Sequence, residues 1–458
     1  WFKSGNLQET VIKKINNQIS NQIPDSTTKR EVDTIFRDFL GMDGKRNYLL
    51  LFLNNTELRP GGGFIGAYAV VQMENSVPNV LKVEGTEILD NYAPRDFKST
   101  PPKPLQEFTG VKRWEFRDSN WSPDFVSSSI KSLELYKKEN GLLANDIDGV
   151  IGFTPTVLEE ILKIIGPVEY QGIKFTSENF VEKLEYEVEY GYKIKGIAFK
   201  DRKQIMSGLT KTLIKKMTLD VFLNWSKYYA LTENMIDQKH IMIYSPDSKK
   251  QNFLVHKKID GKIKQTDNDY LMWVDANLGA WKTDASIDRH LTYSFSPDKK
   301  GGYLATAKMK YVHKGVFDWR TTRYRTYVRT YVPKGSKFKS VKGSMLRDRT
   351  NLPGKVDQGV ENNKQWFGAF IAIEPGQSKE LVWTYEVSPQ IAKLINENKY
   401  KLLVQKQLGT VKPGLTVSLD FGKNIVFASP GEPKTKHGDT RYDYAADLLL
   451  DREFEVKY

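Results

Sequence analysis

The hydrophobic period of this chain changes once, near Trp281, and that change limits what it can fold into. Before it, short apolar runs alternate with segments whose apolar residues recur every three or four positions. That is the pattern of strands alternating with helices. After it come turn-punctuated segments in which apolar and polar residues alternate: "RHLTYSFS", "GYLATAKMKYVH", "TRYRTYVRTYVP", "WFGAFIAIEPGQSKELVWTYEVS", "KYKLLVQKQLG", "GLTVSLDF" and "DREFEVKY". The first pattern predicts an α/β sandwich over residues 45–280, and the second an immunoglobulin-like β-sandwich over 281–458. A chain of 458 residues with 39% hydrophobic content is long enough to bury both cores.

Residues 1–44 read as a helical stem, with Leu7, Val11, Ile15 and Ile19 on one helix and Val32, Ile35, Phe36 and Phe39 on a second. Pro24 divides the two, and Asp25 or Ser26 caps the second. "RNYLLLFLNN" reads as a buried strand and "GFIGAYAVVQME" as its neighbour, with Asn75 and Pro78 as breakers behind it. Residues 85–125 read as a long irregular loop, a length more often functional than accidental. A helix over Val126–Asn140 and the strand "DIDGVIGF" follow. "TPTVLEEILKIIG" is then a helix with Thr154 as N-cap, Pro155 at its first position and Gly166 as C-cap. "PVEYQGIKF" is extended, and two more helices lie in "TSENFVEKLEYEVEYGYK" and "DRKQIMSGLTKTLIKKMTLD".

Composition removes several chemistries. With no cysteine, disulfides, thiolate metal sites and cysteine nucleophiles are excluded. The five histidines are scattered and form no H-x-x-x-H pair, which argues against a histidine-rich metal site or a Ser-His-Asp triad. The formal charge of +13 favours a polyanionic neighbour, but no nucleic-acid motif accompanies it. No apolar run is long enough to span a membrane. "WFKSGN" at the start suits the outer end of a membrane anchor removed upstream of Trp1.

Two loops gather candidate ligand contacts. In "NNTELRPGGGFIGAY", Arg59 stands beside Gly61, Gly62 and Gly63, a combination that offers a guanidinium fork and exposed backbone N–H groups to an anion. The alternative is a tight turn between two strands. Neither a G-K-[ST] nor a following helix supports a nucleotide loop. "RDSNWSPDF" collects Arg117, Asp118, Asn120, Trp121 and Asp124, which suit a sugar or phosphate contact or, alternatively, an internally bridged turn anchored by Trp121. Arg320, Arg323, Arg325 and Arg329 alternate with aromatics in "RTTRYRTYVRTYV", read as the solvated face of a strand rather than a polyanion site. The basic stretches "KKINNQ" and "LIKKM" read as solvated helix surfaces.

The motifs "NNTELRPGGGFIGAY", "RDSNWSPDF", "DIDGVIGFTPTVLEEILKIIGPV", "TSEN" and "KLLVQKQLG", in that order, resemble a bacterial family of unknown function. Its members look like membrane-anchored envelope proteins, often with a C-terminal β-sandwich. More distantly, "LRPGGGFIGAYAVV", "YAPRDF", "DIDGVIGFTPTVLEEILKIIGPVEY" and "KDRKQIMSGL" resemble the LytR-CpsA-Psr family, which transfers glycan polymers from a polyprenyl pyrophosphate lipid to the cell wall. That resemblance implies Arg59 and Arg95 as catalytic groups, anion contact at Gly61, Gly62, Gly63 and Arg202, and magnesium as the cofactor. From the reading of "RDSNWSPDF" itself, Asp118 joins them as a candidate catalytic carboxylate and Arg117, Asn120, Trp121 and Asp124 as ligand contacts. One departure stands out: Pro60 and Gly61 follow Arg59 where the family has its metal-binding aspartate, so a substitute carboxylate would have to come from Glu57, Asp118 or Asp124.

These readings lead to an extracytoplasmic envelope protein whose partner is a wall or lipid-linked glycan, reached through an N-terminal membrane anchor. The alternative is a non-enzymatic surface protein that self-associates and has kept the fold without the chemistry.

Overall fold

The computed structural model describes residues 26–299, 301–432 and 438–458. "KKINNQ" and the predicted first stem helix lie outside the described residues, and the second helix runs Ser26–Phe39. The chain is a mixed α/β protein with several sheets.

The first sheet has five strands: β1 (Arg46–Asn54), β2 (Phe64–Glu74), β3 (Val77–Gly85), β4 (Gly149–Phe153) and β7 (Ile241–Tyr244), in the order β3-β2-β1-β4-β7. A two-residue hairpin, β5 (Val168–Tyr170) with β6 (Ile173–Phe175), stands apart from it. β1 is central, antiparallel to β2 and parallel to β4, which explains its unbroken apolar run. Its residues Leu49, Leu51 and Leu53 enter a core with Phe125, Leu135 and Tyr136 of the helix Phe125–Lys138. Phe52, between them in sequence, turns to the other face and meets Phe153 edge-on at 4.9 Å. On that second face the helices Pro155–Ile165, Gln204–Leu223 and Trp225–Asp237 share a separate core with the β5–β6 hairpin.

β3 was not foreseen. Asn75 and Ser76, both with positive φ (50° and 63°), make a two-residue turn into it rather than ending the sheet. Pro78 is tolerated because β3 is an edge strand. The stretch read as irregular contains the short helices Thr86–Asn91 and Lys103–Thr109 and a 3₁₀ turn at Phe116–Asp118.

The second part of the chain is two sheets face to face. A seven-stranded sheet has the order β13-β14-β11-β8-β16-β20-β18, built from β8 (Asp269–Asn277), β11 (Tyr324–Pro333), β13 (Asp357–Glu361), β14 (Lys364–Ile373), β16 (Tyr400–Gln405), β18 (Phe427–Ser429) and β20 (Arg452–Lys457). A six-stranded sheet has the order β12-β15-β10-β9-β17-β19, built from β9 (Ile287–Pro297), β10 (Tyr303–His313), β12 (Lys337–Lys342), β15 (Ser378–Glu386), β17 (Gly414–Asp420) and β19 (Arg441–Asp447). One core joins them, with Phe295 against Tyr400, Tyr311 against Tyr324 and Phe367 against Trp383. β8 hydrogen-bonds to β11 and β16, so residues assigned by period to the preceding domain belong to this sandwich. All nine β8 residues are buried, and a strand covered on both faces shows no alternation to mark it.

The arginines of β11 and the loop before it are not solvated. Arg329 is 5% exposed, pairs with Glu361 at 2.9 Å and donates to the Trp121 carbonyl. Arg325 donates to the Phe108 carbonyl (2.8 Å), Arg323 pairs with Glu374 and Asp348, and Arg320 with Glu185 (2.7 Å). The outer face of β11 is covered by residues 103–124, where Phe108 stacks on Phe370 at 4.1 Å.

Polar ties between the sheets are buried and paired. Asp269 accepts from Tyr293 of one sheet (2.6 Å), from Tyr400 of the other (2.7 Å) and from the Tyr270 amide (2.8 Å). Burial pushes the Asp269 carboxyl above its ordinary pKa, and the two tyrosine hydroxyls work against that shift. Asp269→Ala leaves three buried donors without an acceptor and is expected to cost about 3 kcal/mol. A shift in the urea midpoint at constant m-value measures this, and an unchanged midpoint would refute the assignment.

Candidate functional site

The glycines of "RPGGG" face protein rather than an open anion nest. The Gly61 amide donates to the Asn120 carbonyl (3.0 Å), and a Cβ at Gly61 would lie 2.8 Å from Asn120 Cβ. Gly62 has φ +115°, and a Cβ on Gly409 would meet the Gly62 carbonyl oxygen at 1.9 Å. Gly61 also forms a bridge with Leu408, and Asn55 donates to the Gly409 carbonyl (3.0 Å). The two glycine-bearing motifs, "RPGGG" and "VQKQLG", are therefore packing partners across the junction of the two domains, each glycine allowing backbone to approach backbone.

Arg59 lies in the same junction and is 4% exposed. Its Nε donates to Asp118 Oδ1 (3.0 Å), Nη1 to the Asn277 carbonyl and Nη2 toward Glu57 (3.5 Å), and Phe64 lies under the guanidinium at 5.0 Å. The carbonyl of Arg59 accepts from Gln407 (3.3 Å). Burial disfavours its charge, but Asp118 and Glu57 outweigh that and hold the guanidinium above its ordinary value.

The other expected contacts divide in the same way. Asn120 is buried and donates to the Gly63 carbonyl (2.7 Å). Trp121 lies against Tyr327 (6.4 Å) and Arg329 (5.4 Å), so its ring is covered. Asp124 caps the helix Phe125–Lys138 through Ser127 (2.8 Å) and clamps the Ile263 amide (3.0 Å). Asp118 is spent on Arg59. Arg95 is exposed, and no hydrogen bond or ion pair holds it in a site. These side chains lie between the 3₁₀ turn Phe116–Asp118 and the helix Phe125–Lys138 and satisfy backbone and guanidinium groups buried where the first sheet meets the sandwich.

Arg117 and Arg202 do converge, on a cavity of about 240 Å³ on the Phe52 face of the sheet. Its apolar wall is Phe52, Phe64, Val181, Leu184, Val188 and Met206. Its polar wall carries four cations, Arg117, Arg202, Lys203 and Lys282, and four carboxylates, Glu57, Glu87, Glu185 and Glu189. Arg202 pairs with Glu189 (2.8 Å) and Glu87 (3.1 Å), Lys203 with Glu87, and Lys282 with Glu189 (3.2 Å). Among the described residues, the Arg202 Nε has no hydrogen-bond partner. Burial works against ionisation of Glu87, yet Lys203 and Arg202 hold it below its ordinary value. For Glu57 burial wins, and the carboxyl is raised despite Arg59 and Lys282. Glu57 and Phe64 stand between the cavity and the buried Arg59. Lys282 and the apolar wall carry no signal in the sequence, because residues from strands, helices and loops far apart in the chain meet here and no local motif joins them.

Behind Arg117 lies a buried carboxyl pair. Arg117 is bonded to Asp90, which is fully buried, and Glu139 is 2% exposed with the Phe116 amide on its Oε1 (2.9 Å). Burial first, and then the neighbouring Asp90, push the Glu139 carboxyl well up, so it keeps its proton at neutral pH.

A divalent ion does not fit the residues present. Among the described residues no three Asp, Glu or His side chains gather to hold one, and Asp118 and Asp124, the proposed substitutes, are committed to Arg59 and to backbone amides.

Residues 43–189 match a family described as "Protein of unknown function (DUF4012)". The matched DUF4012 segment supplies four of the five strands of the sheet, Arg59 and most of the cavity wall, whereas β7, Arg202, Lys203 and Lys282 lie beyond its end. No curated relative matches. Among solved structures, the chain is similar to a nutrient binding protein of Legionella pneumophila at 6% identity and TM-score 0.24, over 41% of this chain and 71% of that one. It is similar also to an M1 zinc metallopeptidase of Deinococcus radiodurans at 8% identity and TM-score 0.15, over 37% of this chain and 41% of that one. Likenesses this low say nothing of activity. No helix among the described residues is long and apolar enough to cross a membrane.

Two variants separate structure from site. Arg59→Ala strands Asp118 in the junction and is expected to destabilise the protein by about 3–5 kcal/mol, read by urea unfolding. In Glu139 the folded state keeps a proton that the unfolded chain loses above the ordinary carboxylate value, so wild-type stability falls as pH rises from there. Glu139→Gln is expected to flatten the decline between about pH 5 and about pH 8 while keeping the Phe116 bond. Parallel pH profiles for variant and wild type would count against the shared proton.

Proposed function

We propose that this is an extracytoplasmic envelope protein whose α/β domain binds an amphipathic anion, a polyprenyl-phosphate-linked glycan, in the cavity beside Arg202. The observation that carries the reading is the division of that cavity into an apolar wall and a cationic one, with Arg202 Nε left unpartnered. An isoprenoid stem suits Val181, Leu184, Val188 and Met206, and phosphate oxygens suit the Arg202 fork and Lys203. On this reading the α/β domain is a relative of the LytR-CpsA-Psr sandwiches, the C-terminal part an immunoglobulin-like module, and the glycan projects from the cavity mouth. Binding rather than transfer is favoured, because Arg59 and Asp118 neutralise each other away from the cavity.

A second reading has its own support. The four cavity cations are matched by four carboxylates, as expected of a surface protein that has kept the fold and lost the ligand. The test is titration of wild type and Arg202→Ala with undecaprenyl phosphate, with undecaprenol as the neutral control. Saturable binding of the phosphate, weakened about tenfold in the variant and absent for the alcohol, is expected. No saturable binding by wild type overturns the proposal in favour of the second reading.

A further inference from the structure

Three of the four cavity cations spend their charge on carboxylates that line the cavity with them: Arg202 on Glu87 and Glu189, Lys203 on Glu87, and Lys282 on Glu189. Arg117 differs. Its carboxylate partners, Asp90 and Glu115 (3.2 Å), both meet its Nε, and neither of them lines the cavity. Among the described residues no hydrogen bond engages Arg117 Nη1 or Nη2, and its side chain is 28% exposed where that of Arg202 is 12%. A guanidinium anchored at Nε keeps its two terminal nitrogens side by side, an edge that fits two oxygens of one anionic centre. An anion reaches that edge without displacing a carboxylate, whereas both terminal nitrogens of Arg202 already donate to one.

The backbone under Arg117 is fixed. The 3₁₀ turn Phe116–Asp118 sets it between two committed neighbours. Phe116 is fully buried against Tyr68 (5.5 Å) and Tyr136 (5.4 Å), and Asp118 is bonded to Arg59. The anchor of the side chain, Asp90, belongs to the helix Thr86–Asn91 and is itself fully buried. Glu115 is shared with Arg113 (2.9 Å), which also donates to the Asp90 carbonyl (2.8 Å). Asp90 Oδ1 and Glu139 Oε2 are the buried carboxyl oxygens left over, and the hydrogen bond between these two carboxyls accounts for both. Because Glu139 keeps its proton, it steadies Asp90 without adding a second negative charge behind the guanidinium. Its hydrogen bond also draws on the charge of Asp90, which leaves more of the arginine's charge for a ligand.

We infer that Arg117 selects the ligand's anionic group, and that Asp90 and Glu139 are positioning residues that hold its terminal fork toward the cavity. The inference rests on the reading that the cavity takes an anion, and it adds which residue recognises that anion and what aims it. The group recognised is a centre bearing two oxygens, as the phosphate of a lipid or free phosphate does.

The test is titration of wild type, Arg117→Lys, Glu139→Gln and Glu139→Leu with undecaprenyl phosphate and, separately, with inorganic phosphate. Arg117→Lys keeps a cation beside Asp90 and loses the fork. It is expected to bind the lipid phosphate about tenfold more weakly while melting close to wild type. Glu139→Gln preserves both hydrogen bonds and is expected to bind like wild type, whereas Glu139→Leu, measured on folded protein, is expected to lose about fivefold. Peptide mapping after phenylglyoxal treatment needs no variant: Arg117 is expected to react ahead of Arg59 and Arg202, and undecaprenyl phosphate to protect it. Wild-type affinity in Arg117→Lys, or an Arg117 inert to the reagent, overturns the inference and leaves the cavity reading standing. Wild-type affinity in Glu139→Leu, or equal losses in the Gln and Leu variants, removes the positioning role. Inorganic phosphate bound as tightly as the lipid, with the same loss in Arg117→Lys, supports Arg117 and counts against the apolar wall. Failure of wild type to bind either phosphate overturns both proposals.

Discussion

The contacts that join the glycine loop to the sandwich gather around the buried guanidinium of Arg59. A desolvated cation of this kind is tolerated only when its donors are matched, and Asp118, the Asn277 carbonyl and Glu57 match them from three sides. One partner follows the glycine loop's own contact at Asn120 in reverse, and another ends β8 in the sandwich. The same few residues bring Leu58 into mutual bonding with Asn277 and Asp284 and set the glycines against residues 407–409. For Arg59 to take an external phosphate it would have to leave Asp118 unpaired and open the junction. The arginine is a keystone of the interface, and its resemblance to a pyrophosphate grip is a resemblance of position.

What the sequence shows and what it hides follow from how far each signal reaches. β1, β2, β4 and the helix Pro155–Ile165 were legible because apolar period, turn residues and caps are local. So was the change of architecture near Trp281, since half-buried strands alternate. β8 was not, because its buried Asp269, Asp275 and Asn277 interrupt the apolar run and no alternation replaces it. β3 was hidden by Pro78, which an edge strand accepts. The arginines of β11 looked solvated only because nothing local records that residues 103–124 lie across them.

The site divides along the same line. Arg117 and Arg202 were legible only as candidate ligand contacts, and the residues that gather them on one cavity, among them Glu57, Val188 and Lys282, come from elements far apart in the chain. Asn120, Trp121 and Asp124 show the reverse. Polar residues clustered in a short loop suggest a ligand, yet buried backbone at a domain junction needs the same donors and acceptors. Composition alone does not separate the two; burial does.

The charge balance of the cavity then bears on what could enter it. Glu87 and Glu189 are each held below their ordinary values by cations that outweigh burial, so displacing either carboxylate means breaking strong pairs. Glu57 differs, since burial has already raised it and its two nearest cations have other partners. Protonation of Glu57 removes one negative charge, loosens only its 3.5 Å contact with Arg59, and leaves the cavity with a net positive wall. A phosphate arriving beside Arg202 and Lys282 would favour that proton further. If the cavity takes an anion as proposed, proton uptake at this one carboxyl would offset the added charge while the remaining ion pairs keep the arginine fork in place.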